Sequence, residues 1–411
     1  MSAAYLGDVA PFVEPANRLV ERGHDVVFSV PEGYHPMLRG ERFGLATYPL
    51  DFSASGMHAD PEHQRLMRHP VLNVVRLSRY WMRRGYVADP TAVRDGLLST
   101  FDGADAIVSH PTMCSVVAPI AHQLGVPLVV GHLFPMMVPT AEWAFPMDRT
   151  SPDLGRRANR ALWWFFTFGS GRLFYDREFN RLRCSAGMEP LRGNSVHAWS
   201  AADRTVMLVS PHYFGDGPAD WPPISWAGFS HWNGPATHDR DPAVDTFLDA
   251  GDPPVLVTLG TSGASGAGDR FAAIATALDD QGLRSLLLVG DPANLAPVAG
   301  RDGAHVFAPL SQVLARCRAA VVSGSLGTLA AVLAAGLPVV VVPQLFDQVW
   351  HGGQVERLGV GLLARRTRDV AGAVARIEAD PAYRGRAREL ARAMAEEDGP
   401  GGLVAAVESL L

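Results

Sequence analysis

Apolar residues recur along this chain in two alternating periods. Between Pro11 and Arg22 they fall at Phe12, Ala16, Leu19 and Val20, the spacing of one helix face, and Gly23 stops the stripe. Asp25 to Val30 reads as a buried strand, and Ala104 to Ser109 as another. A helix through Val116 to Leu124 leads into a strand from Val126 to Val130. The second half repeats the rhythm. Pro254 to Leu259 is a strand, Gly260 to Gly268 a loop rich in glycine and serine, and Arg270 to Gln281 a helix. Leu286 to Val289 is a strand, His305 to Phe307 a short one, and Ser311 to Cys317 a helix. Such repeats predict parallel sheets covered on both faces by helices. The expected class is therefore α/β, with two doubly wound, Rossmann-like halves facing a central cleft. In such sheets the ligand sits at the carboxyl ends of the strands.

Residues 221–253 break the pattern. They are rich in Pro, Gly, Asp and His and read as a linker. The linker divides the chain into a first domain over 1–220 and a second over 254–411. Residues 51–90 and 135–185 are not cleanly periodic and read as irregular helical insertions.

Bulk properties narrow the function classes. The 411 residues are 47% hydrophobic and 19% charged, enough for two cores and too apolar for global disorder. Net charge is −6 without a long basic run, which argues against nucleic acid as the main partner. The three cysteines, Cys114, Cys184 and Cys317, are scattered and form no metal-ligand spacing. Free thiols and a reducing, cytoplasmic setting are expected. No apolar run reaches the 18 or so residues that a membrane-crossing helix takes.

The densest chemistry lies at 321–348. Val321-Val322 runs into the small-residue loop Ser323-Gly324-Ser325-Leu326-Gly327-Thr328, and an alanine-rich helix follows, closed by Gly336. A β-branched strand from Val339 to Val342 ends in Pro343-Gln344-Leu345-Phe346-Asp347-Gln348. Free amides and hydroxyls at a helix N-terminus suit an anion. A carboxylate and a carboxamide side by side can bind adjacent hydroxyls. Together they suggest a nucleotide-sugar pocket.

This stretch resembles the C-terminal signature of the GT-B glycosyltransferases that use nucleotide-activated sugars on small acceptors. The family pattern is His-His-Gly-Gly-x-Gly-Thr, then Ala-Gly-x-Pro, then Pro-Gln-x-x-Asp-Gln. Gly324, Gly327, Thr328, Ala335-Gly336, Pro338, Pro343-Gln344 and Asp347-Gln348 match it. Val322 and Ser323 stand where the family has its histidines, and Ser325 replaces the second glycine. Tyr5 to Val13 likewise resembles the Gly-Asp-Val-x-Pro segment that opens many bacterial members, including glycopeptide and sterol glucosyltransferase types. In those members it is the loop after the first strand. The family carries a full apolar strand before that loop. Met1 to Ala4 are expected to be the tail of such a strand, with its remainder upstream of Met1.

The resemblance implies roles for individual residues. Asp8 would be the catalytic base that takes the acceptor's proton. Asp347 and Gln348 would hold the donor sugar. Thr261, Ser262, Ser323, Ser325, Gly327 and Thr328 would bind the diphosphate, and the helix starting near Thr328 would stabilise its leaving charge without a metal. Val306 would frame the nucleobase, and His351 would touch the donor. His110, at a strand end near the expected acceptor, would line its pocket or assist Asp8. His24 reads as a helix cap only. The aromatic run Leu162 to Phe168 is first a core cluster, then an apolar acceptor pocket, with membrane docking least favoured because few basic residues precede it.

The implied activity is transfer of a hexose from a UDP- or dTDP-sugar to a hydroxyl of a small, largely apolar acceptor, such as a natural product. It would proceed by single displacement with inversion. No cofactor, metal, nucleic acid or membrane partner is expected. The alternative is a catalytically degenerate relative that binds a ligand or partner enzyme. A sugar-nucleotide epimerase would need different acidic residues than the Gly-Asp-Val opening provides.

Overall fold

A computed structural model describes residues 6–47, 60–67, 73–81, 89–143, 154–169, 176–193, 195–221, 224–232, 234, 242–260, 264, 267–344 and 347–411. The strands are β1 (Val27–Val30), β2 (Gly44–Thr47), β3 (Ile107–Ser109), β4 (Leu128–His132), β5 (Arg204–Met207), β6 (Ser225–Trp226), β7 (Val255–Thr258), β8 (Ser285–Leu288), β9 (Ala304–His305), β10 (Ala319–Val322), β11 (Val339–Val341) and β12 (Gly361–Leu363). The longer helices in the first part of the chain are α1 (Leu6–Glu21), α2 (Val74–Trp81), α3 (Pro90–Thr100), α4 (Cys114–Leu124), α5 (Arg156–Trp164) and α6 (Asp176–Ser185). Those in the remainder are α7 (Pro242–Asp249), α8 (Arg270–Asp279), α9 (Leu326–Ala334), α10 (Gln348–Leu358), α11 (Val370–Ala379), α12 (Pro381–Met394) and α13 (Gly399–Glu408).

The chain forms two compact units. The first comprises residues 1–211, 216–230 and 398–411, and the second residues 212–215 and 231–397. In the first, β3-β4-β5-β6 make one parallel sheet and β1-β2 a separate parallel pair. The apolar run Leu128 to Val130 is wholly buried in β4, and α4 covers it with Val116, Val117 and Ile120. Gly125, at φ 72°, ends α4 in the left-handed conformation that glycine adopts without strain.

α1 differs from the sequence expectation. It begins at Leu6 rather than Pro11, so Asp8 lies in its first turn and not in a loop. Pro11 and Pro15 inside the helix remove two backbone donors. Burial of Val9, Phe12, Val13, Ala16 and Leu19 on one face outweighs that loss. The expectation for Met1 to Ala4 lies outside the described residues.

The second unit is a six-stranded, all-parallel sheet in the order β12-β11-β10-β7-β8-β9. The chain moves outward from β7 to β9, returns to the centre at β10 and moves outward the other way to β12. The topology therefore reverses between β7 and β10, where α/β sheets open a ligand crevice. The strand sequences VLVT, SLLL, AAVV and VVV are buried along their whole length, as fits a sheet covered on both faces.

The C-terminal segment also departs from the sequence reading, which ran the second domain to residue 411. Residues 398–411 belong to the first unit. Leu403, Val404 and Val407 of α13 are buried there, and Arg18 pairs with Asp398 at 2.5 Å and Arg22 with Glu408 at 2.6 Å. The apolar stripe of α13 shows that the helix is buried but carries no record of which sheet receives it.

Candidate active site

The register pairs Thr258, the last residue of β7, with Val322, the last of β10. Their following loops therefore leave the sheet side by side. Gly260 has φ 66°, and a Cβ built there would lie 2.8 Å from Ser325 Oγ and 3.7 Å from both Ser323 Oγ and Thr328 Oγ1. Three hydroxyls thus converge on a bare stretch of backbone. The Ser323 and Ser325 hydroxyls are 3.3 Å apart, and the Ser325 N–H donates to Ser323 Oγ at 3.4 Å. Ser325 is the N-cap residue of α9, yet its side chain makes no capping hydrogen bond. The first amides of a helix have no intrahelical acceptor, and the dipole is positive there. Hydroxyls and amides so arranged suit the oxygens of a phosphate.

Gly324 ties this loop to the sugar-binding candidates. At φ 91°, its Cβ would strike Val341 Cγ1 at 2.7 Å and stand 3.1 Å from the Gln348 carbonyl oxygen. Only glycine fits so close to the start of α10. The turn that carries Ser323 and Ser325 is in this way brought against Gln348 at the start of α10. Thr261 and Ser262 lie outside the described residues.

The Asp347 side chain is 18% exposed, and its Oδ2 lies 3.2 Å from His351 Nε2. His351 is fully buried, and its Nδ1 is 2.7 Å from the Tyr213 hydroxyl. His351 therefore stands behind Asp347, not at the surface where a donor would touch it. Gln348 is also buried, and its Oε1 accepts from the Gln344 N–H at 2.8 Å. Val306 follows β9, and its carbonyl is taken by the Gly290 N–H at 2.8 Å. Any recognition of a base by that carbonyl has to share it with this bond. Burial first, then the nearby Asp347 charge, raises the Tyr213 phenol well above its usual range.

In the first unit, Asp8 and His110 face each other. His110 Nε2 is 3.4 Å from Asp8 Oδ1; the histidine is fully buried and the carboxylate partly exposed. His110 Nδ1 accepts the Thr112 N–H at 3.3 Å and lies 2.8 Å from Thr112 Oγ1. A neutral imidazole that accepts at Nδ1 carries its proton on Nε2, so that proton points toward Asp8. The rings of Phe12 and Phe134 meet His110 edge to face at 6.0 and 5.6 Å. Burial removes His110 from the acceptor's reach and leaves it the role of holding Asp8.

Deeper in the same unit, His132 is held down to about 3 by burial, then by the nearness of His110 and His197, and burial holds His197 to about 4. Burial pushes the Cys114 and Cys317 thiols up to about 12, which makes both unreactive at neutral pH. Among the described residues no three of His, Cys, Asp or Glu are arranged to hold a metal ion, and no helix is long and apolar enough to cross a membrane.

Residues 295–410 match the family described as "Erythromycin biosynthesis protein CIII-like, C-terminal domain". The chain is 29% identical to the O-mycaminosyltylonolide 6-deoxyallosyltransferase of Streptomyces fradiae, over 96% of this chain and 92% of that one. It is 28% identical to the glycosyltransferase GtfE of Amycolatopsis orientalis, over 87% of this chain and 83% of that one. Among solved structures it resembles the glycosyltransferase SsfS6 of Streptomyces sp. SF2575, crystallised with thymidine diphosphate. That match has a TM-score of 0.62 and 19% identity, and covers 99% of this chain and 98% of the other. The chain is thus similar to GT-B natural-product glycosyltransferases over nearly its whole length, and its residues 295–410 match their C-terminal domain.

The approach of Gly324 to Gln348 involves residues of the signature already visible in the sequence. Tyr213 was not visible. It lies 138 positions from His351, in a short apolar segment with no motif around it. β5 was missed too, although the buried run Val206 to Val209 is a strand signal.

Proposed function

We propose that this glycosyltransferase moves a hexose from a UDP- or dTDP-sugar to a hydroxyl of a small, largely apolar acceptor. The observation that carries the reading is the crowding of the Ser323, Ser325 and Thr328 hydroxyls around Gly260 at the β7/β10 switch, with Gly324 of the same loop against Gln348. The diphosphate would lie against these hydroxyls and the first amides of α9. Ser323 supplies a neutral donor where relatives carry an imidazole, so the helix dipole and amides carry more of the charge stabilisation. Thymidine diphosphate in the SsfS6 crystal supports a nucleoside diphosphate as the ligand class. Asp347 would accept from sugar hydroxyls.

In the reaction, an acceptor hydroxyl oxygen attacks the anomeric carbon as the bond to the diphosphate oxygen breaks. The configuration inverts, the electron pair of the broken bond leaves with the diphosphate, and the proton passes to Asp8. His110, with its Nε2 proton turned to Asp8, would hold the carboxylate in place for that transfer. Its Nδ1 is occupied by Thr112, so His110 is not itself the base. The apolar residues exposed on and after α5, including Trp164, Phe165 and Phe168, are compatible with an apolar acceptor.

Two steps test the reading. The purified protein is melted with UDP and with dTDP, and stabilisation by one of them is expected. It is then incubated with a panel of nucleotide sugars and hydroxylated aglycones, with the glycoside detected by mass. Stabilisation without any glycoside would favour the degenerate, ligand-binding alternative. No stabilisation by either diphosphate would remove the donor site itself.

A further inference from the structure

Asp347 is backed by two buried aromatic side chains that the transfer reaction does not call for. Tyr213 and His351 are both fully buried within the second unit. Their bonds form a line: the Tyr213 hydroxyl lies 2.7 Å from His351 Nδ1, and His351 Nε2 lies 3.2 Å from Asp347 Oδ2. The direction of that line follows from elementary chemistry. A carboxylate only accepts, so Nε2 carries the proton that faces it; the other nitrogen of a neutral ring only accepts, so the phenol donates.

The segment that supplies Tyr213 is gripped by successive turns of α10. The Gln354 carboxamide donates to the Tyr213 carbonyl. Arg357 Nε donates to Gln354 Oε1 at 3.0 Å and Nη2 to the Phe214 carbonyl at 3.5 Å. The Phe214 ring stacks on Trp350 at 5.2 Å, and Tyr213 on His351 at 5.9 Å. A phenol held this rigidly fixes the imidazole, and the imidazole fixes one carboxylate oxygen. Oδ1 of Asp347 receives no hydrogen bond among the described residues.

We propose that Tyr213 and His351 are positioning residues for donor-sugar recognition: they anchor Oδ2 of Asp347 and present Oδ1 to a hydroxyl of the sugar. The proposal rests on the donor-site reading above. A free aspartate would have to be ordered when the sugar binds, and pre-ordering removes that cost. A fixed acceptor also favours donors that carry a hydroxyl at the matching ring position over those that lack it. The substrate class is therefore a hydroxylated hexosyl nucleotide.

Tyr213→Phe removes one oxygen and keeps the ring. Calorimetry would measure the Kd of UDP, dTDP, UDP-glucose and dTDP-glucose for the wild type, Tyr213→Phe, Asp347→Asn and the double variant. The expected result is a sugar-nucleotide Kd about five- to tenfold weaker in Tyr213→Phe, with the diphosphate Kd within about twofold of wild type. Asp347→Asn should show the same selective loss, and adding Tyr213→Phe to it should change nothing further. Equal weakening for diphosphate and sugar nucleotide would make the relay merely structural and overturn the proposal. So would unchanged sugar-nucleotide affinity in Tyr213→Phe, or additive losses in the double variant. A wild type that binds diphosphates but no sugar nucleotide also sinks it; one that binds neither sinks the donor-site reading instead.

Discussion

On the proposed reading, turnover depends on Asp8. It stands in the first turn of α1, partly exposed, with the Nε2 of a fully buried histidine 3.4 Å away. General-base catalysis is typically worth about 10²–10⁴ in rate. Asp8→Asn keeps the shape and loses the proton acceptor. It should cut kcat by roughly that factor while leaving dTDP or UDP affinity intact; full activity in the variant would remove Asp8 from the reaction. His132 makes a separate claim on pH. Its folded pKa of about 3 lies below the roughly 6.5 of an unfolded histidine, so the unfolded chain binds the proton first. The stability contributed by keeping it neutral is complete above about pH 6.5, falls as pH drops, and is exhausted near the folded value. His197, at about 4, adds in the same direction. The expected outcome is a Tm that declines steadily from pH 6.5 toward pH 4, with a shallower decline in His132→Gln. A Tm flat across that window would contradict the burial assigned to both rings.

At the scale of the element, the loops after β7 and β10 set the site, and two glycines set the loops. Gly260→Ala would place a methyl 2.8 Å from Ser325 Oγ at φ 66°, and Gly324→Ala would drive one into Val341 at φ 91°. Left-handed backbone costs a side chain about 1 kcal/mol or more before any clash. Both variants should lower Tm. Gly260→Ala should in addition weaken diphosphate binding by about tenfold, because it displaces a hydroxyl that the ligand needs. A Gly260→Ala protein with unaltered affinity would show that Ser325 does not face the phosphate. These loops were legible in the sequence because every constraint on them is local: a glycine where φ is positive, a serine before a helix, an acid–amide pair after a strand. The start of α1 was not. Pro11 looked like a first turn, and only burial of Val9 beside Phe12 explains a helix that continues upstream. His351 was misplaced for a related reason. Its neighbour Tyr213 is remote in sequence, so nothing local marked the ring as buried. Pattern shows which face is apolar, but a partner from another part of the chain decides whether a polar residue on that face meets ligand or protein.

The whole molecule is interleaved in sequence, and the last helix is the clearest case. Residues 398–411 close the first unit although the preceding residues, 231–397, all belong to the second. α13 lies along α1, buries Leu403, Val404 and Val407, and anchors Asp398 to Arg18 and Glu408 to Arg22 and His24. The ion pairs are partly or well exposed and add little. The apolar burial is the larger effect, at about 1.5–3 kcal/mol for each such side chain. Against a typical domain stability of about 5–15 kcal/mol, removing the helix should leave the first unit marginal or unfolded. A chain ended after Glu397 should therefore lose transfer activity even though every residue of the proposed donor site, from Gly260 to Gln348, is retained. Its second unit should still melt cooperatively, and UDP or dTDP should still raise that transition. The converse variant, Leu403→Ala with Val407→Ala, should weaken the first unit by several kcal/mol without touching diphosphate affinity. Differential scanning calorimetry with and without diphosphate separates the two transitions. Loss of the diphosphate-stabilised transition in the shortened chain would mean that α13 supports the donor-binding unit, against the packing described for it.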